Sequence, residues 1–241
     1  VGNDGATYNV TGSQTEVGSS DNTFTYELNK GTNKDNYNIE LVEGKLTVTA
    51  DENEVVVTIT ENRGNKKYDG RAHSVSGYKV TDISNKLYTA DDFKFNGDAT
   101  VKGTDAGTYD MDVKADDFEN VNNNFAKVTF VIIDGKLTIE KRDVTLTSVD
   151  ASKVYDGTAL TSKKVTVSGE GFAKGEGATY NVTGTRTNTG TSKNTFTYTL
   201  KNGTKAANYN IKKVEGKLTI TAAPVTPSNT PNTPNTPANP T

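Results

Sequence analysis

The sequence contains no cysteine and no tryptophan, and its 241 residues include one histidine and one methionine. The absence of cysteine rules out disulfides, thiol catalysis and cysteine-based zinc sites. All six prolines lie beyond residue 223. No stretch approaches the roughly 20 apolar residues of a membrane-spanning helix. We therefore expect no membrane insertion.

The charges are balanced and mixed. Lys and Arg number 27, Asp and Glu number 30, and the formal net charge is -3. Binding to nucleic acid depends on clustered cations that release counterions, and this chain has no such cluster. Hydrophobic residues make up only 32% of the chain. Because the Tyr and Phe residues sit in alternating patterns, we expect several modest cores rather than disorder.

Internal repetition is the main signal in the sequence. Residues 5–50 align with 177–222 at a constant offset of 172, and 31 of these 46 positions are identical. A more divergent copy lies between them, and it ends with Gly135-Lys-Leu-Thr-Ile139. The same closing strand occurs at Gly44–Val48 and Gly216–Ile220. Repetition of this kind indicates duplication of a whole structural unit.

The repeat divides the chain into four predicted segments. We expect 1–50 to be the C-terminal half of a repeat module, 51–140 and 141–222 to be full modules, and 223–241 to be a linker or wall-spanning stalk. The last segment is rich in Pro, Thr and Asn, so it should be extended and partly polyproline II. At roughly 3.1 Å per residue its last 18 residues would span about 55 Å.

Apolar side chains recur at every second position within the modules. This alternation is typical of strands with one buried and one solvated face, and Asn, Asp and Gly separate the runs as turns require. The clearest runs are Phe24/Tyr26/Leu28, Tyr37/Ile39/Leu41, Val55/Val57/Ile59, Tyr109/Met111/Val113 and Val128/Phe130/Ile132.

These patterns predict an all-β protein made of tandem small antiparallel β-sandwich modules of the Ig-like kind. A β-grasp-like module is the alternative, because Asp116–Asn124 is the one stretch that could supply a short helix. The C-terminal tail is expected to be extended.

The sequence offers no catalytic, cofactor-binding or metal-binding set. His73 has no Ser/Asp or Glu/His partner at the spacing of a triad or metal motif. The pairs Asp91-Asp92 and Asp116-Asp117 lack the spaced oxygen ligands that calcium requires. We therefore predict that the chain is not an enzyme.

Two Tyr-Asp-Gly motifs form the predicted structural turns. They are Tyr68, Asp69, Gly70 and Tyr155, Asp156, Gly157. Asp-Gly favours tight turns with positive φ at the glycine, and the preceding tyrosine is expected to anchor the turn in the core. On this interpretation Tyr155→Ala costs about 3 kcal/mol of stability.

Each closing strand also carries a lysine that a Lys–Asn amide cross-link would need. Alternation directs these lysines outward, since the leucine after each one points inward. We therefore predict surface lysines and no cross-link. The residues concerned are Lys45, Lys136 and Lys217, with Glu43/Asn36 and Glu215/Asn208 as the nearest acid and amide pairs.

Three blocks together resemble a known family. They are Lys66–Gly70 with Lys153–Gly157, the Asn-Tyr-Asn-Ile block at 36–39 and 208–211, and the closing Gly-Lys-Leu-Thr strand. The arrangement resembles the MBG/YDG-type tandem repeats of bacterial cell-surface, adhesin-like proteins, especially cell-wall-attached proteins of Gram-positive bacteria. The resemblance implies an extracellular, non-catalytic repeat region with cell-wall attachment outside this segment. The tail is similar to a wall-crossing segment, although it has no Leu-Pro-x-Thr-Gly motif.

Three functions are compatible with these observations. The leading one is a stalk or spacer of a bacterial surface protein, because near-identical copies add length without new chemistry. The second is an adhesin module for a host glycoprotein, mucin glycan or matrix protein, where repeated copies raise avidity. The third is an accessory repeat region of a secreted enzyme.

Overall fold

The structure is a computed structural model that describes residues 2–225. The extended spacer predicted over 223–241 therefore lies almost entirely outside the described residues. The described part divides into two compact units. The first unit comprises residues 2–65, His73–Gly103 and Thr108–Thr138, and the second comprises Lys66–Ala72, Thr104–Gly107 and residues 139–225.

Twenty-two short strands make up the regular structure of residues 2–225. In chain order they are β1 Ala6–Val10, β2 Gly18–Asn22, β3 Phe24–Leu28, β4 Gly44–Val48, β5 Val55–Glu61, β6 Arg63–Lys67, β7 His73–Ser76, β8 Tyr78–Ile83, β9 Phe93–Phe95, β10 Thr100–Gly103, β11 Gly107–Asp110, β12 Phe118–Asn120, β13 Val128–Ile133, β14 Lys136–Glu140, β15 Arg142–Ser148, β16 Ala151–Val154, β17 Val165–Gly169, β18 Ala178–Val182, β19 Gly190–Asn194, β20 Phe196–Leu200, β21 Tyr209–Val214 and β22 Gly216–Thr221.

Helical structure within residues 2–225 is limited to single 3-10 turns. They are Lys34–Asn36, Ala90–Asp92, Ala115–Asp117 and Ala206–Asn208. The all-β prediction is confirmed. At the place where a short helix was considered, Ala115–Asp117 forms one such turn and β12 follows it directly. The structure therefore gives no support to the helix on which the β-grasp alternative rested.

The first unit is organised around β5. This strand lies between β13 and β8, parallel to β13 and antiparallel to β8. Its inward residues Val55, Val57 and Ile59 are almost completely buried, as the alternation predicts. Their β-branched side chains suit a pleated, covered surface.

The second unit repeats this arrangement around β15. That strand lies between β21, to which it is parallel, and β17, to which it is antiparallel. In the adjoining sheet β22 is parallel to β16 and antiparallel to β19. Each complete repeat thus pairs its first strand in parallel with a strand near its end, in addition to the antiparallel pairs that were expected.

Residues 2–50 form a smaller part of the first unit. Here β1 pairs with β3, and β2 pairs with β4, both antiparallel. None of residues 2–50 is fully buried. The strand predicted over Tyr37, Ile39 and Leu41 is not formed. The prediction was wrong because the corresponding strand β21 is held by β15, and no described strand lies beside residues 37–41.

Candidate functional site: the turns that join repeats

The first Tyr-Asp-Gly turn lies in the second unit, where it packs against residues of the 141–222 repeat. Gly70 has φ +81, a conformation that glycine adopts without a steric penalty. The Asp69 carboxylate accepts a hydrogen bond from the backbone N–H of Arg71 at 2.9 Å. A Cβ at Gly70 would already touch Glu176 Oε1 and Ala173 Cβ at 3.5 and 3.6 Å. A small residue with positive φ therefore lets the turn approach this surface closely.

Tyr68 is the anchor of that turn. Its side chain is only 4% exposed, and its ring meets the ring of Tyr209 edge-to-face with centroids 5.5 Å apart. The Tyr68 hydroxyl donates to Glu176 Oε1 at 2.5 Å. The Tyr209 hydroxyl donates to the other oxygen of Glu176 at 3.0 Å and accepts from the backbone N–H of Ala173 at 3.0 Å. One carboxylate thus holds two buried phenols.

The environment keeps both phenols protonated. Burial, and next the hydrogen bond to Glu176, raise the pKa of Tyr68. Burial is also the main cause that raises the pKa of Tyr209. Neutral phenols therefore act as donors to a charged acceptor, the arrangement in which hydrogen bonds are strongest.

Two cations secure the backbone around the turn. The guanidinium of Arg142 donates to the carbonyl oxygens of Gly171, Glu170 and Tyr68 at 2.8, 2.7 and 3.3 Å. Lys67 forms an ion pair with Glu140 at 3.2 Å, and the ion pair raises the pKa of the lysine. Because a guanidinium presents several donors in one plane, Arg142 links three carbonyls of two chain segments at once.

The second Tyr-Asp-Gly turn has the same local geometry but a different environment. Gly157 has φ +79, and the Asp156 carboxylate accepts from the backbone N–H of Thr158 at 2.9 Å. Tyr155, however, is 43% exposed. The expectation that Tyr155 is a core anchor was therefore wrong. No group among residues 2–225 covers it in the way that Tyr209 covers Tyr68.

A buried asparagine joins a second segment to the same repeat. Asn208 is completely buried. Its Oδ1 accepts from the backbone N–H of Ala106 at 2.8 Å, and its Nδ2 donates to Asp105 Oδ1 at 2.9 Å. Lys205 lies 2.6 Å from the other oxygen of Asp105, and this lysine, followed by Asn208, lowers the pKa of Asp105. We call the pair of hydrogen bonds made by the asparagine the asparagine contact.

The first unit contains its own asparagine contact. Asn124 Oδ1 accepts from the backbone N–H of Val17 at 2.7 Å, and its Nδ2 donates to the Glu16 carboxylate. Asn124 precedes Phe125 as Asn208 precedes Tyr209, and Glu16 precedes Gly18 by two residues as Asp105 precedes Gly107. The same chemistry therefore recurs at two successive positions of the repeat.

The sequence analysis did not predict the asparagine contacts, although the sequence contains a pattern that indicates them. Every copy has an Asn before an aromatic residue, and two copies have an acidic residue two positions before a glycine. In the last copy Asn188 stands where the others have the acid. Asn208, which was weighed as a cross-link partner, is engaged by Asp105 instead.

The three lysines of the closing strands are exposed, as alternation predicts. Lys45 pairs with Asp21 across β2 and β4, and its pKa is raised by that contact. We predict that intact-protein mass spectrometry gives the mass calculated from the sequence. Each Lys–Asn cross-link would lower that mass by one ammonia, and such a deficit would contradict the surface placement of these lysines.

The remaining candidate residues form no recognisable reactive arrangement within residues 2–225. His73 lies in β7 and is half-buried. No group of three or more His, Cys, Asp or Glu side chains in the described part of the chain has metal-binding geometry. In the same part, no helix is long and apolar enough to cross a membrane.

Comparison with known families identifies one of the repeats. No curated protein matches the chain. Residues 54–141 match the family model of the MBG domain, a non-catalytic repeat family that is typical of surface proteins. The match covers the repeat that contains β5, β13 and the Tyr68 turn. The match at residues 54–141 is consistent with the MBG-type repeats that the sequence resembles.

Proposed function

We propose that the chain is a non-catalytic spacer region of a bacterial cell-surface protein, in which successive repeats bear tension along the chain. The observation that carries this proposal is the parallel pairing of the first strand of each complete repeat with a strand near its end. The pairs are β5 with β13, and β15 with β21.

Parallel pairing of this kind resists pulling at the chain ends. A force enters the 141–222 repeat at the start of β15 and leaves it at the end of β22. It therefore slides β15 along β21 and β16 along β22, against the six and four paired positions of these strands. Because the load acts along the strands, the hydrogen bonds of each pair share it and must break together.

The contacts at the turns add a second support. The Tyr68 turn and the two asparagine contacts fix loops of one repeat against side chains of the next by charge-assisted hydrogen bonds, and those of Tyr68 and Asn208 are partly buried. A disordered connection would make no such contacts. These features favour a spacer with ordered connections, with the Pro/Thr/Asn-rich tail as its extension toward the cell wall.

The adhesin alternative receives less support. An exposed aromatic cluster shared by the copies would favour it. In the last copy, however, the shared residues Phe196, Asn208 and Tyr209 are at most 4% exposed. Since these residues fill the core of the last copy, packing explains why the copies share them. The accessory role in a secreted enzyme requires a catalytic domain outside the 241 residues. The sequence of the full-length gene product tests it.

Single-molecule pulling tests the spacer role. Stretched from its ends, the chain should show discrete high-force events, each releasing about 250 Å for a repeat of this length. The matched control uses cysteines introduced by Asp143→Cys and Glu170→Cys, which is practical because the chain has none of its own. These positions adjoin one end of the antiparallel pair β15–β17. Pulling there should unzip the same repeat at a clearly lower force, whereas equal forces in both geometries would contradict the proposal.

A further inference from the structure

Charge is distributed unevenly between the repeats. Residues 141–222 contain 13 Lys or Arg and 6 Asp or Glu, whereas residues 1–140 contain 14 and 24. The formal charges of these two parts are therefore +7 and -10, although the total is only -3. A region whose charge is strongly of one sign attracts partners of the opposite sign.

The first and last copies differ mainly in charge. Both pair the same strands in the same register. Of the 15 positions at which 5–50 and 177–222 differ, 11 change the charge. The formal charge is -3 over 5–50 and +6 over 177–222. The last copy thus keeps the fold of the first and presents a basic surface instead of an acidic one.

One cross-strand pair shows this reversal directly. In the first copy Asp21 on β2 lies opposite Lys45 on β4, and the two side chains form an ion pair. The middle copy has Asp110 at the position of Asp21. In the last copy Lys193 on β19 lies opposite Lys217 on β22. Like charges directly opposite each other destabilise a sheet, so a bound anion would relieve a repulsion that is present only in the last copy.

A third lysine lies beside this pair. Lys213 stands where the first copy has Leu41, and its Nζ lies 2.8 Å from Glu215 Oε1. The Nζ of Lys193 lies 3.9 Å from Glu215 Oε2. We call Lys193, Lys213 and Lys217 the lysine cluster. Its members are separated in the sequence and come together only through the pairing of β19 with β22 and the Glu215 contacts, so no run of basic residues indicates it.

The acidic groups around the cluster do not balance it. Glu215 is shared by two of the lysines. Asp150 also adjoins the cluster, but its Oδ1 accepts from the backbone N–H of Lys217 at 2.6 Å. Within residues 2–225 the Lys217 ammonium forms no ion pair, and the Lys193 side chain is 78% exposed. Three ammonium groups thus lie at the surface beside two carboxylates.

We propose that the lysine cluster of the 141–222 repeat binds a flexible anionic polymer with closely spaced phosphate groups. A lysine ammonium is a compact point charge, which binds phosphate oxygens without imposing one planar geometry. Ammonium groups on the exposed surface of β19, β21 and β22 suit a chain that lies across the strands. That the polymer belongs to the cell surface rests on the proposed function, in which this repeat adjoins the tail. The lysine cluster itself does not depend on that function.

Long-chain inorganic polyphosphate is the probe, and isothermal titration calorimetry measures its affinity for the full chain. The affinity should fall steeply between about 50 and 200 mM salt, because the lysines displace counterions from the polymer. Lys193→Asp should weaken binding by about tenfold or more. Lys86→Asp, at an exposed position in the first unit, changes the total charge equally and should leave binding unchanged. Equal affinities of the two variants, or no binding of polyphosphate at about 50 mM salt, would overturn the proposal.

The stability of Lys193→Asp separates loss of binding from loss of folding. The substitution recreates the Asp–Lys pair of the first copy, so the urea midpoint of the second unit should be unchanged or higher. A lower midpoint would contradict the repulsion between Lys193 and Lys217 on which the proposal rests.

Heparin, a sulfated glycan, tests the chemistry of the polymer. If it binds the full chain more tightly than polyphosphate at the same concentration of anionic groups, the assignment to a phosphate polymer is wrong. Neither result changes the unfolding forces that test the spacer role, so the two proposals fail separately.

Discussion

Tyr68→Ala should lower the free energy of unfolding by about 3 kcal/mol, as for other buried aromatic side chains. The substitution removes the edge-to-face contact with Tyr209 and leaves one oxygen of Glu176 without its donor. The loss should appear in the second unit, because Tyr68 packs against Tyr209 and Glu176 there. Urea denaturation followed by circular dichroism measures its size, and hydrogen exchange assigns it to a region.

Tyr155→Ala is the matched control, since it removes the same residue from the same motif. Because Tyr155 is 43% exposed, we expect a cost below about 1 kcal/mol, as for most surface substitutions. If Tyr68→Ala and Tyr155→Ala lower the free energy of unfolding equally, the tyrosine stabilises its own turn whether or not other residues cover it.

Glu61→Ala should cost about 3 kcal/mol in the first unit. The Glu61 side chain is 2% exposed. Its carboxylate accepts from the backbone N–H groups of Val113 and Gly135 at 2.9 and 2.5 Å. Alanine would leave both buried donors without an acceptor, and each such loss costs about 1 to 3 kcal/mol.

The last copy offers a graded control for Glu61. There Ser148 occupies the corresponding position, and its hydroxyl accepts from Gly216 N–H at 2.9 Å and donates to the carbonyl oxygen of Asn194 at 2.6 Å. Ser148→Ala leaves one N–H donor rather than two without an acceptor, and the Asn194 carbonyl loses one hydrogen bond, so it should cost about 1 to 2 kcal/mol. The cost of Glu61→Gln should lie between that of Ser148→Ala and that of Glu61→Ala, because an amide keeps one acceptor oxygen. If Glu61→Ala leaves the free energy of unfolding unchanged, water satisfies the two N–H donors and this account of Glu61 is wrong.

Local features of the fold were predictable because they depend on local sequence. Alternation placed Val55, Val57 and Ile59 in the core, and Asp-Gly predicted turns in which Gly70 and Gly157 have positive φ. The same alternation continues inward to Glu61. Its burial was not foreseen, since a charged residue is rarely enclosed unless specific donors satisfy it.

Features that depend on a distant partner were not predictable in this way. Tyr68 and Tyr155 occupy the same position in one motif, yet their burial differs because only one is covered by Tyr209. Residues 37–41 alternate as well as Tyr209–Val214 do, but only the second segment lies beside a strand. The asparagine contacts likewise join residues about a hundred positions apart. Alternation reports which residues favour burial and does not identify what buries them.

A double-mutant cycle between Tyr68→Phe and Glu176→Ala tests most directly whether the turn of one repeat is held by a side chain of the next. Phenylalanine keeps the ring and removes only the hydroxyl that donates to Glu176. We predict a coupling free energy of about 1 to 3 kcal/mol, the range of a hydrogen bond to a charged group. If the losses in free energy of unfolding caused by the two single substitutions add within about 0.5 kcal/mol in the double variant, the turn is not held by this contact and the proposed connection between repeats is wrong.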